Sequence, residues 1–158
     1  MTTRVLIIDD DVESCRLMAS MLSRGGHQCL TSTSPAEGLE LVGKEPLDAV
    51  ITDLHMPGLD GFQLCEEVLS NHPDLPVVVI TAFGSMETAV GALRAGAYDF
   101  LCKPFQREEL LLTVERAVRH HQLQRQVRRL EQIVAESRSF EEILGVSPAM
   151  GEVFQLIE

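Results

Sequence analysis

This sequence predicts an α/β fold built on a doubly wound parallel sheet, and three observations point to it. Short apolar runs recur at residues 5–8, 49–51 and 77–80, with weaker ones at 28–32 and 97–102. A run that is apolar on both faces suits a strand covered by helices above and below. Between the runs lie segments with apolar residues at helical spacing, and their ends carry helix punctuation such as Ser34-Pro35 and Gly25-Gly26. A strand-then-helix unit repeated five times in succession gives parallel strands with helices on both faces.

In chain order, Val5, Leu6, Ile7 and Ile8 form the first strand, ended by Asp9-Asp10-Asp11. Cys15, Leu17, Met18, Met21 and Leu22 are the expected apolar face of the helix that follows, and Gly25-Gly26 stops it. After the second strand, Ser34 is the expected N-cap, Pro35 sits in the first turn and Glu37 closes a capping box. Leu39, Leu41 and Val42 continue that helix to Pro46. The third strand runs into Asp53, and a loop with Pro57-Gly58 and Asp60-Gly61 leads to a helix bearing Phe62, Leu64, Cys65, Val68 and Leu69. The fourth strand ends at Thr81-Ala82. Ser85 caps a helix with Met86, Ala89, Val90 and Leu93 as its apolar face. The fifth strand, expected at 97–102, ends at Lys103-Pro104, and a long helix starts near Arg107. The spacing is that of a flavodoxin-like sheet of strand order 2-1-3-4-5.

Composition narrows the function. The 158 residues are 45% hydrophobic, as in a globular chain with a sizeable core. A net charge of -11 argues against direct nucleic-acid binding by this stretch. The four cysteines show neither a CxxC nor zinc-ligand spacing, so small buried thiols in a reducing, cytoplasmic setting are expected. No apolar run reaches the length of a membrane span, and no signal peptide is read at the start.

Parallel strands present their carboxyl ends on one edge, and the order 2-1-3-4-5 sets strands one, three, four and five side by side. Asp9, Asp10, Asp53, Thr81 and Lys103 stand at those ends and are expected to converge on one cleft. Carboxylates about 5 Å apart repel by roughly 3 kcal/mol per pair at an effective dielectric near 20. An all-oxygen cluster of this kind calls for Mg²⁺, or Mn²⁺, rather than zinc. A metal ion, an ammonium and a hydroxyl around one carboxylate suit the stabilisation of charge on a transferring phosphoryl group, with Asp53 as nucleophile. Taken singly, each piece has a plainer use: the acidic triplet as a helix cap, Thr81 as a strand-end hydroxyl, Lys103-Pro104 as a turn.

Ile7-Ile8-Asp9-Asp10, Asp53 followed by Met56-Pro57-Gly58 and Asp60-Gly61, Val79-Ile80-Thr81-Ala82, Gly96-Ala97 and Lys103-Pro104-Phe105 together resemble the receiver domain of two-component response regulators, over about residues 5–118. The resemblance implies that Asp53 accepts phosphate from a phosphohistidine on a sensor histidine kinase. It implies that Asp10 and Asp53 bind Mg²⁺ directly, Asp9 through water, and His55 through its backbone carbonyl. Lys103, Thr81 and Ala82 would hold the phosphate, with Thr81 and Phe100 as the switch pair. Phe100 stands where the family more often has Tyr and so has no hydroxyl to signal with. His55 and Gly84 are expected to flank the path of hydrolytic water.

Beyond the core, Leu123, Val127, Leu130 and Val134 follow spacings of four, three and four, a short coiled-coil seam through which a homodimer is expected. The stretch with Arg116, Arg119, Arg125, Arg128 and Arg129 lacks aromatic interleaving and reads as a solvated face. Residues 140–158 are similar to the opening of the ATPase domain of NtrC-type activators that work with sigma-54 RNA polymerase. The phosphate-binding G-x-x-x-x-G-K-[ST] loop is absent from the chain, so no ATPase activity is assigned to it. The expected organisation is a receiver at 1–121, a helical linker at 122–138 and a truncated AAA+ ATPase domain at 139–158. The function expected is a phosphorylation-dependent switch, not an enzyme, that alters the dimeric state to control a sigma-54-dependent activator. Two rivals stand beside it. A phosphorelay intermediate would have no output domain. An aspartyl-phosphate phosphatase of the haloacid-dehalogenase kind wants a second Asp two residues after the nucleophile, where this chain has His55. A flavodoxin is disfavoured because Asp9-Asp10-Asp11 would repel an FMN phosphate.

Overall fold

The computed structural model describes residues 2–144. The element order is β1 (Arg4–Ile8), α1 (Val12–Arg24), β2 (Gln28–Ser32), α2 (Pro35–Lys44), β3 (Ala49–Asp53), α3 (Gly61–Asn71), β4 (Val77–Thr81), α4 (Met86–Arg94), β5 (Asp99–Cys102) and α5 (Arg107–Leu144). The five strands form one parallel sheet in the order β2-β1-β3-β4-β5. The chain divides into two compact units, Met1–Gln122 and Leu123–Glu158, with the boundary inside α5. α5 runs unbroken to Leu144, past the linker boundary expected at 138. The helix expected at Ser147-Pro148 lies outside the described residues.

Within the first unit, β3 and β4 are buried along their whole length, as continuous apolar runs require. The alternation of side chains divides the core in two. Leu6, Ile8, Val50, Val77 and Val79 pack with α2 and α3, while Val5, Ile7, Ile51, Val78 and Ile80 pack with α1 and α5. α1 buries Cys15, Met18 and Leu22, but Leu17 turns outward, 56% exposed, because the buried stripe falls at i, i+3 and i+7. Gly26 takes φ +89 past the end of α1, the left-handed turn that a closing glycine supplies. On α5, Leu110, Val114, Ala117 and Val118 close the second half of the core.

Three local expectations change. Ser34 caps α2, its Oγ accepting from Glu37 N–H at 3.4 Å, but no capping box closes there. The Ser34 N–H donates to Ser32 Oγ instead, at 3.2 Å. A complete box sits on α3, where Asp60 Oδ1 accepts from Gln63 N–H and Asp60 N–H donates to Gln63 Oε1. β5 begins only at Asp99, because the Ala97 N–H donates back to Ala92 O in the turn that leaves α4. On α4 the expected face is reversed: Met86 and Leu93 are 80% and 72% exposed, and Ala92 is the buried residue. α4 approaches through small residues, with the ring of Phe62 packed so close to Gly91 that a Cβ there would stand 2.9 Å from Phe62 Cζ.

The cysteines are all free, but only Cys15 and Cys65 are the buried thiols expected; Cys29 is half-buried and Cys102 is exposed. Burial pushes the Cys65 thiol up to about 12 and also raises Cys15, first by burial and then by the nearby charge of Asp9. No helix among the described residues is long and apolar enough to cross a membrane.

Candidate functional site

The carboxyl ends of β1, β3, β4 and β5 meet as their residues dictate. Asp9 follows the last residue of β1, Asp53 ends β3, Thr81 ends β4, and Lys103 follows β5. Register holds them level. Asp53 pairs with Ile80 and Thr81 with Cys102, Leu54 N–H donates to Ile80 O at 2.8 Å, and Lys103 N–H donates to Thr81 O at 2.7 Å.

One carboxylate oxygen from each of Asp9, Asp10 and Asp53 lies within 4.8 Å of the other two. Asp9 and Asp53 are buried, while Asp10 is exposed at the mouth. The third acid of the triplet does something else: Asp11 is the N-cap of α1, accepting from Glu13 N–H at 3.1 Å. So the helix-cap reading holds for Asp11, and the cluster reading holds for its two predecessors. Asp9 is fixed from several sides. Its Oδ1 accepts from Asp11 N–H at 2.9 Å, its N–H donates to Ser32 O, and its carbonyl accepts from the Cys15 thiol at 3.3 Å.

Lys103 Nζ lies 3.1 Å from Asp9 Oδ2 and 3.9 Å from Asp53 Oδ1. One ammonium therefore balances part of three carboxylates. The remainder shows in Asp53, whose pKa is raised, first by burial and then by the charge of Asp9, against the opposing pull of Lys103. Such a cluster fits a divalent cation on chemical grounds. The donors are all oxygen, two of the three are buried, and they already stand within a span that a small hard ion closes by minor side-chain rotation. Asp9, Asp10 and Asp53 could hold it.

Thr81 is buried, and its Oγ1 accepts from Phe83 N–H at 3.1 Å, turning the chain into the loop before α4. Ala82 is exposed on that loop. Phe100 lies on β5, half-buried against the α2–α3 side of the core. His55 is exposed beside Asp53 and meets the ring of Phe83 edge-on, with centroids 5.7 Å apart. Phe83 thus shares the rim with His55, and Gly84 sits against Cys102 and Phe100. Phe83 was missed because an aromatic in a loop carries no periodicity, and its place two residues beyond the strand-end Thr81 was the only available sign.

A parallel α/β sheet whose central carboxyl edge gathers three acids, a lysine and a strand-end hydroxyl fits the class of signalling receiver domains. The comparisons narrow the class. Residues 5–115 match the response regulator receiver domain, and the chain belongs to that family. It is 36% identical over 153 residues to the DNA-binding transcriptional regulator NtrC of Escherichia coli (strain K12), covering 97% of this chain and 32% of that protein. It is 34% identical over 150 residues to the regulatory protein AtoC of Escherichia coli (strain K12), covering 95% of this chain and 32% of that one. A solved structure of NtrX from Brucella abortus superimposes with a TM-score of 0.76 at 39% identity, over 82% of this chain and 30% of that chain. A response regulator receiver domain from Clostridium thermocellum superimposes with a TM-score of 0.73 at 29% identity, over 77% of this chain and 98% of that one. The receiver is of the NtrC type, and the chain spans about a third of the length of the curated relatives it matches.

Proposed function

We propose that this receiver takes a phosphoryl group from the phosphohistidine of a sensor kinase onto Asp53. The supporting observation is the Lys103 ammonium set between Asp9 and Asp53, at the one edge where three carboxylates gather. In the transfer, an Asp53 carboxylate oxygen forms the new P–O bond as the P–N bond to the donor imidazole breaks, and that bond's electron pair leaves with the imidazole nitrogen. Mg²⁺, or Mn²⁺, held by Asp10 and Asp53, by Asp9 through water and by the His55 carbonyl, would supply positive charge against the phosphoryl oxygens.

The chain's own residues do the rest. Lys103, already at the acidic pair, turns its ammonium to a phosphoryl oxygen. The Ala82 backbone and the Thr81 hydroxyl take the others. Thr81 then moves inward and gives up the bond from Phe83 N–H, and Phe100 turns into the space vacated. The phosphoryl group thereby stabilises one of two loop arrangements, which is a population shift.

The output is a change in dimeric state through α5 and the linker. In the second unit Leu123, Val127, Leu130 and Val134 are each about half exposed, at heptad spacing, with Leu and Val alternating as in two-stranded coils. The receiver occupies 1–121 and the linker 122–138, with the start of an AAA+ ATPase domain at 139–158. In the whole protein the partners are that ATPase domain and sigma-54 RNA polymerase, in the cytoplasm.

The test is incorporation of phosphate from acetyl phosphate with Mg²⁺, read as a mass gain on the peptide holding Asp53. The wild-type chain takes it up and Asp53→Asn does not. Uptake at an undiminished rate by Asp53→Asn would refute the assignment. Light scattering with and without beryllofluoride tests the dimer, and one unchanging monomer mass in both would sink it.

A further inference from the structure

The loop between β4 and α4 rests on the end of β5 at Gly84. After Thr81 Oγ1 accepts from Phe83 N–H, Gly84 comes down over the end of β5, where the position a Cβ would occupy is already filled by Cys102 Sγ. The same position stands 3.3 Å from Cys102 Cβ and 3.9 Å from Phe100 Cζ. Thr81 and Cys102 face each other in the β4–β5 register, so the contact bridges the two strand ends beside Asp53. Gly84 does not need its glycine for backbone reasons, because among the described glycines only Gly26, Gly58 and Gly96 have positive φ. What it supplies is room. Cys102 is exposed, unlike Cys15 and Cys65, and its thiol fills a hollow in the loop rather than a place in the core. Phe100, lacking a hydroxyl, can act on the loop only by its shape.

We propose that Gly84 and Cys102 are positioning residues whose contact, together with the Phe100 ring, mechanically couples the Thr81 loop to β5. The thiol nested in the glycine's hollow holds the loop in its resting place, and a loop drawn toward Asp53 lifts off it. The contact is steric, so it replaces the hydrogen bond that an aromatic hydroxyl would provide. This inference rests on the reading of Asp53 as the phosphoacceptor.

The first test needs no substitution. Iodoacetamide labelling of Cys102 in the full chain, read by peptide mass, should change at least threefold when beryllofluoride is added with Mg²⁺, while labelling of Cys29, on β2, stays within the scatter. The second is a double-mutant cycle on beryllofluoride affinity measured by calorimetry. Gly84→Ala should shift the affinity by about three- to tenfold. Cys102→Ala should shift it less, and the double variant should return within about twofold of wild type, because removing Sγ makes the room that the added methyl needs. Cys102→Val, which adds bulk from the other side, should mimic Gly84→Ala. Unchanged labelling of Cys102 in a chain that binds beryllofluoride, or strictly additive effects in the cycle, would overturn the coupling. A wild-type chain that binds no beryllofluoride would instead remove the acceptor reading itself, and this inference with it.

Discussion

α3 and α4 lie on either side of β4 in the chain, and local signals for the two look alike: a cap of Asp60 or Ser85, an amphipathic run, and a small or polar residue at the end. Their fates differ. α3 buries Leu64, Cys65 and Val68 at 0–1% exposure and starts with a closed capping box. α4 buries Ala92 and leaves Met86, Val90 and Leu93 to solvent. α3 is thus held by apolar area, α4 by the approach of small residues to the sheet and the Phe62 ring. A helix with little buried area has little to lose by shifting, so the element joined to the Thr81 loop is also the one free to respond.

Substitutions can break this contrast. Leu64→Ala in α3 should cost about 2–5 kcal/mol in urea unfolding, the usual loss for a fully buried leucine. Asp60→Ala should cost about 1 kcal/mol, because it takes the side-chain acceptor from Gln63 N–H while the Asp60 N–H keeps its bond to Gln63 Oε1. Leu93→Ala should change stability by less than about 0.5 kcal/mol, as for an exposed position. A Leu93→Ala loss approaching that of Leu64→Ala would remove the contrast.

A fourth measurement bears on the edge between the two helices. Burial and Asp9 raise the Asp53 pKa, so the folded chain binds that proton more tightly than the unfolded chain does. The stability this gives is complete below the unfolded value of about 4 and lost as pH rises through the folded value. In metal-free protein near neutral pH, Asp53→Asn should therefore melt a few degrees above wild type. The gap should close as pH falls toward 4, and Mg²⁺ should narrow it near neutral pH. A gap that stays constant with pH would show that Asp53 carries no such penalty.

The acidic edge was legible in the sequence because position at a strand end is set by the apolar run before it, and parallel winding then sets the edge. Asp9, Asp10, Asp53 and Lys103 needed nothing finer. Strand order was legible for the same reason. The face of α4 was not. Periodicity marks an apolar stripe but not which way it points, and here Ala92 takes the core side while Gly91 leaves room for the Phe62 ring. The capping box at Glu37 failed through competition, since Ser32 Oγ takes the Ser34 N–H first. Cys102 looked like a core thiol because it ends an apolar run, yet β5 ends there and its side chain lies at the exposed rim, against Gly84 rather than in the core.

At the start of α3, Gly61 donates its N–H to Leu54 O at 2.9 Å, and a methyl on it would stand 2.6 Å from the carbonyl oxygen of Asp53. The backbone that carries Asp53 is therefore wedged between a sheet partner and a helix end. A phosphoryl group on that side chain, as proposed, would find no give behind it. Displacement must travel sideways across the strands, and this asymmetry gives a chemically small event a direction.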